Sequence, residues 1–174
     1  MILDGLLQFN AAGGDVPTTG SQVSTNSIDL GLLGIPLSAQ GGGARDIGIG
    51  DDPAMKLLVL VTVAFTGGTS LQVNVQGAPD NGSGVAGAFV IMVSGPVVVE
   101  ANLIAGTRLL DIDFPRPAPA QPLPRFIQLG YVTVGTHTGG LQRIQAYIVL
   151  DRHDLPEQAN AILGGYPAGV NVAN

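Results

Sequence analysis

Two histidines, two aspartates spaced two residues apart, and a few glycine clusters are the parts of this sequence that could support chemistry. His153 stands in Asp151-Arg152-His153-Asp154, which could serve acid–base transfer or contribute to a metal site. A zinc centre needs three or four ligands, so this run reads better as a solvated loop after the last strand. His137, within Gly135-Thr136-His137-Thr138-Gly139, is expected at a solvent-exposed turn tip. Asp111 and Asp113 would share one face of a strand, and paired carboxylates can cleave glycosidic bonds. No second catalytic layer is visible around them, and solubilising an outer face is the expected role.

Asp46, Asp51 and Asp52 flank Gly48 and Gly50, but the calcium-loop spacing with its terminal Glu is missing. Gly48-Ile49-Gly50 fails the dinucleotide fingerprint because Pro53 stands where the third glycine belongs. There is no Walker loop, and Gly82-Ser83-Gly84 is not a nucleophile elbow. Asn81-Gly82-Ser83 fits the glycosylation acceptor pattern but reads as a turn, since Met1 to Asn10 has no basic segment typical of a secretion signal. Cysteine is absent, which removes disulfides, thiolate metal ligands and thiol nucleophiles. The expectation is a non-enzyme with no cofactor and no metal.

Charge narrows the partners. Charged residues make up 11% of the 174-residue chain, where about 25% is usual for soluble domains. A single lysine, Lys56, is present, while 45% of residues are hydrophobic. Interface cores are depleted in charge, so much of this surface is expected to be covered by protein partners. The formal net charge of −6, with arginines scattered along the chain, argues against nucleic acid, whose phosphates need clustered cations. The longest apolar run, Leu57 to Phe65, is too short to span a bilayer, and no membrane partner is expected.

Period-2 alternation dominates the chain. Leu71, Val73 and Val75 point one way and Gln72, Asn74 and Gln76 the other. Within Leu141 to Leu150, Ile144, Ala146, Ile148 and Leu150 are expected inward, with Arg143, Gln145 and Tyr147 outward. Arg108 to Phe114 sets Leu110, Ile112 and Phe114 against Leu109, Asp111 and Asp113. Leu57 to Phe65 and Phe126 to Val134 are apolar on both faces, the latter with Phe126, Val132 and Val134 opposite Ile127, Leu129 and Tyr131. Further strands are expected at Ile2 to Phe9, Gln22 to Leu30, Gly87 to Val93 and Val97 to Ala101.

Thr66-Gly67-Gly68-Thr69 is expected to close a hairpin, and Asp80-Asn81-Gly82-Ser83 and Ser94-Gly95-Pro96 to form turns. Many short strands between turns predict an all-β antiparallel fold over residues 1–151, a β-sandwich, jelly roll or barrel with long loops. Those loops are Leu32 to Ala44 and the proline-rich Pro115 to Pro124. Residues 152–174 are expected to form a short C-terminal tail, with Pro156-Glu157 able to open one short helix.

Several segments carry a resemblance. They include Met1-Ile2-Leu3-Asp4, Ser24-Thr25-Asn26-Ser27-Ile28-Asp29-Leu30-Gly31 and Ala44-Arg45-Asp46-Ile47-Gly48-Ile49-Gly50. Leu103-Ile104-Ala105-Gly106-Thr107-Arg108-Leu109-Leu110, Arg125-Phe126-Ile127-Gln128-Leu129 and Ala146-Tyr147-Ile148-Val149-Leu150-Asp151 continue it in order. The chain resembles the jelly-roll capsid cement, or head decoration, proteins of short-tailed double-stranded-DNA phages. That resemblance implies a virion protein, made in the host cytoplasm, on the outer surface of the phage head. Its implied partners are the major capsid protein, whose joints it would cover, and itself, as a homodimer ahead of a homotrimer. The family offers no catalytic residues to carry over.

Expected contacts with the capsid or a second subunit fall on Ile2, Leu3 and Leu6 of the N-terminal arm, on Arg45 and Asp46, and on Arg116 in the proline loop. The alternative is a carbohydrate-binding β-sandwich module, although Trp is absent and aromatic residues are 5%. A β-barrel enzyme comes third.

Overall fold

The computed structural model describes residues 8–10, 18–30, 55–115, 124–137 and 143–149. Alternating sequences give eight strands: β1 (Gly20–Val23), β2 (Ile28–Asp29), β3 (Lys56–Val63), β4 (Gly68–Ala78), β5 (Val90–Val99), β6 (Arg108–Asp113), β7 (Phe126–Gly135) and β8 (Arg143–Val149). A five-stranded sheet has the order β1-β7-β4-β5, with β2 also paired to β7. A three-stranded sheet has the order β6-β3-β8. All pairings are antiparallel. Gln8 bridges Tyr147, and the Phe9 N–H donates to the Ala146 carbonyl at 3.0 Å, so the N-terminal segment extends the small sheet at β8. The protein is an all-β, jelly-roll-like sandwich.

Side chains of one parity fill the space between the sheets. Leu57, Val59 and Val61 of β3 meet Leu71, Val73 and Val75 of β4, with Ile127, Leu129 and Tyr131 of β7 beside them. Ile144, Ala146 and Ile148 of β8 close the same core, as alternation predicts. Burying each large aliphatic side chain stabilises the fold by about 1.5–3 kcal/mol. A reciprocal polar pair is enclosed with them. Asn10 Nδ2 donates to the Tyr131 hydroxyl at 2.7 Å, and that hydroxyl donates to Asn10 Oδ1 at 3.0 Å.

Four local expectations are corrected. Residues 66–69 do not close a hairpin, because β3 and β4 belong to different sheets. Phe65 is buried just before this corner, its N–H bonded to the Leu103 carbonyl at 2.9 Å, and this turns the chain across the core. Ser94-Gly95-Pro96 is not a turn but a bulged stretch inside the continuous strand β5. Proline is tolerated there because β5 ends the sheet order, where among the described residues one row of backbone donors has no strand partner. Leu109, expected outward, is in the core, because a register shift between Val59 and Leu60 carries both Leu109 and Leu110 inward. The single strand expected over Gln22 to Leu30 is split into β1 and β2. At the break, Ser24 Oγ donates to the Asn26 carbonyl at 2.8 Å and accepts from the Leu129 N–H at 3.0 Å, taking over the ladder's role.

The Asp80–Ser83 turn forms as expected, with Asp80 Oδ1 accepting from the Gly82 and Gly84 N–H groups at 2.8 and 2.9 Å. Most of the expected strand Ile2 to Phe9, the Leu32 to Ala44 loop and the interior of the Pro115 to Pro124 loop lie outside the described residues. So do Asp46, Asp51 and Asp52, the His153 cluster, the 151/152 boundary and the helix from Pro156.

Candidate interaction face

Among the described residues, chemistry-bearing side chains are not assembled into a reactive centre. Asp113 accepts from Lys56 Nζ at 2.6 Å across the strand pair, and Asp111 accepts from Arg108 at 3.0 Å. Both aspartates lie on the outer face of the three-stranded sheet, each engaged by a cation. His137 is corrected from turn tip to interior, at 2% exposure. Its ring meets Phe65 edge-on, with centroids 5.0 Å apart, and its backbone N–H donates to the Thr18 carbonyl at 2.8 Å. Neither ring nitrogen has a hydrogen-bond partner. Among the described residues, no group of three His, Asp or Glu side chains could hold a metal ion.

The strongest charged cluster is a clamp at one end of the larger sheet. Arg125 Nε and Nη2 donate to the two Asp29 carboxylate oxygens at 2.8 and 2.9 Å, and Nη1 donates to Asp80. The same guanidinium lies 5.0 Å from the centre of the Phe126 ring. Partial burial pushes the Asp80 carboxyl up, but the Gly82 and Gly84 N–H groups and Arg125 outweigh it and hold the group below its ordinary range. Hydrogen bonding to Asp29 raises the Arg125 guanidinium despite burial, so the cation is permanent. The clamp ties β2, the turn after β4 and the start of β7 together.

The surface with a different character is the outer face of the five-stranded sheet. Register fixes who shares it. Ser70, opposite Val99 and Val134, forms one row, and Gln72, opposite Val97 and Val132, forms the next. Asn74 lies between Ser94 and Gly130, and Gln76 between Ile91 and Gln128. On the far side of β7, β1 adds Ser21 beside Val132 and Val23 beside Gly130. Val23, Ile91, Val97, Val99 and Val134 are all about half exposed or more, from 49% to 61%. None of these rows contains a charged residue; charge begins at the clamp, where Asp29 pairs Phe126.

Three amides of this face are already held down, while Asn74 Oδ1 is buried with no hydrogen-bond partner among the described residues. Gln128 Nε2 donates to Gln76 Oε1 at 2.8 Å, and Gln72 Nε2 donates to the Gly95 carbonyl at 2.9 Å. Gly130 makes room for the first of these, since a Cβ there would stand 2.5 Å from Gln76 Nε2. The amides therefore lie across the strands with the valines standing beside them. An ordered, charge-free surface of this kind can cover another protein at small entropic cost.

The expected contact residues Ile2, Leu3, Leu6, Arg45, Asp46 and Arg116 lie outside the described residues. The face itself was missed by sequence reasoning, although its signal was present. Val97, Val99, Val132 and Val134 stand at outward parity, and only pairing puts them on one face, flanking Ser70 and Gln72 of β4.

No curated protein matches the chain. A family model described as Bbp16 matches residues 13–147, which takes in β1 to β7 and most of β8.

Proposed function

The chain belongs to the Bbp16 family, a name that suggests a phage-related group, and from that premise we propose that it is a capsid cement protein. In this reading it binds the outside of a phage head across joints between major capsid protein subunits and stabilises the shell. It is a structural virion protein, synthesised in the host cytoplasm, that acts without catalysis and as a small homo-oligomer, a dimer ahead of a trimer. The packaged genome pushes outward on the shell, and many modest clamps across joints resist that pressure together.

The observation that carries this reading is an exposed apolar surface on a charge-poor body. Nine large aliphatic residues are exposed among the described ones, and five of them share one sheet face. Exposed apolar side chains gathered on one uncharged face favour protein contact. A carbohydrate-binding module finds less support, because none of the described Phe or Tyr side chains is exposed to offer a sugar platform.

An electron-microscopy reconstruction of the parent particle tests the proposal. Density for this sandwich is expected on the outer surface of the head, over subunit joints. A head lacking that density, with the protein instead in the tail or absent from virions, would overturn it.

A further inference from the structure

We infer that the outer face of the five-stranded sheet is the surface that lies against the capsid, with the ion pairs of the three-stranded sheet on the side turned away from it. This rests on the cement reading and adds to it the mounting of the molecule and the chemistry of the contact. The partner surface is flat, uncharged protein belonging to the assembled shell.

Charge distribution sets the orientation. Around the already buried Leu58 and Val149, the outer face of the small sheet carries Lys56, Arg108, Asp111 and Asp113 in ion pairs. These groups are best left in water, because desolvating an ion pair costs more than its attraction commonly returns. The large sheet presents only valine, isoleucine, serine, glycine and amide side chains across four rows. Burying that side leaves no ion stranded. The amides of Gln72, Gln76 and Gln128 are fixed before contact, so few rotamers are lost on binding.

Edge pairing is a poorer use of the same region. Strand β5 has two register shifts against β4 and carries Pro96, and both features spoil a regular template for another strand. The exposed valines thus act as a face and not as an edge.

Area chooses between a second copy and the shell. Four strands about 4.8 Å apart, over six residue steps of about 3.4 Å, give a patch of roughly 19 by 20 Å, on the order of 400 Å². Two such patches pressed together would bury roughly 800 Å², below the ~1,600 Å² of a standard stable complex. A broad shell surface runs past the rim of the sheet and adds contacts there, which a second copy of this face does not. An oligomer joined elsewhere on the molecule would carry two such faces, and linking them converts two weak attachments into a firm one.

The test uses the full-length chain and parent heads from which this protein is missing. Co-sedimentation is measured for wild type, for Val97→Asp and Val134→Asp on the face, and for Asp113→Lys on the opposite sheet. Val23→Asp on β1 serves as a second face variant, and circular dichroism with thermal melting checks that each is folded. The expected result is wild-type binding by Asp113→Lys and a loss of roughly 100-fold or more by the face variants, which would bury an unpaired carboxylate. Raising NaCl from about 0.1 to 1 M should leave wild-type binding within about threefold, since screening acts on charges and this contact has none. If wild type binds and folded face variants bind equally well, the face inference is overturned and the cement reading stands. If wild type does not bind, both are overturned. If the face variants abolish a solution dimer, a second copy covers the face and the inference fails.

Discussion

Gly95 of β5 stands so close to Leu110 of β6, in the opposite sheet, that a Cβ on Gly95 would lie 2.7 Å from Leu110 Cδ2. The same Cβ would lie 2.6 Å from the Val73 carbonyl oxygen, which belongs to the backbone and cannot swing aside. Gly95→Ala is expected to destabilise the protein by about 1–3 kcal/mol through overpacking. Urea unfolding at constant pH measures this, and an unchanged midpoint would mean that the two sheets have room to separate.

His137 and Gly68 share a second tight contact. A Cβ on Gly68 would come within 2.2 Å of the imidazole, which Phe65 backs from the other side. Gly68→Ala should therefore cost about 1–3 kcal/mol. Combined with His137→Ala, most of that cost should vanish because the ring is gone. A double-mutant cycle should give a coupling energy of about 1 kcal/mol or more. Simple additivity would count against the contact.

Neither nitrogen of His137 makes a hydrogen bond, so the ring contributes by packing alone. His137→Phe is expected to keep or slightly raise the melting temperature, since it removes buried polar atoms that lack partners. A melting temperature lowered by many degrees would reveal a polar role for the imidazole.

Tyr131→Phe removes the hydroxyl that both accepts from and donates to the Asn10 amide. Asn10 Nδ2 keeps only its 3.3 Å bond to the Ile144 carbonyl. The loss should be about 1–3 kcal/mol, the usual penalty for stranding a buried polar group. Native-state hydrogen exchange should also quicken at Phe9, where the N-terminal segment joins β8.

Acid should loosen the Arg125 clamp. The Asp80 carboxyl is held below its ordinary range in the folded chain, so its contribution is complete above about pH 4, the unfolded carboxylate value. It is lost as pH falls further, through the folded value. Asp80→Asn should flatten part of the acid limb in a plot of melting temperature against pH and leave the neutral region less stable. An unchanged acid limb would exclude this group.

The strands were legible because a sheet with one buried side writes its parity into the sequence. Leu71, Val73 and Val75, then Ile144, Ala146 and Ile148, sit in the core where alternation put them. Parity fails where the ladder slips. Leu109 and Leu110 both turn inward at a bulge, and Gly95-Pro96 sits within a strand although it looks like a turn. A bulge depends on the partner strand, and the partner is not encoded nearby. His137 was misplaced for a similar reason, since its cover, Phe65, is distant in sequence.

What the sequence determined by itself was an all-β body, two-faced strands and an exterior short of charge, because these follow from residue type and a period of two. The tertiary structure decided which strands share a sheet, and so gathered Val97, Val99, Val132 and Val134 onto one uncharged face while leaving the Lys56 and Arg108 ion pairs on the other. Pairing between residues far apart in the chain is a collective choice of the whole core, and no local pattern contains it.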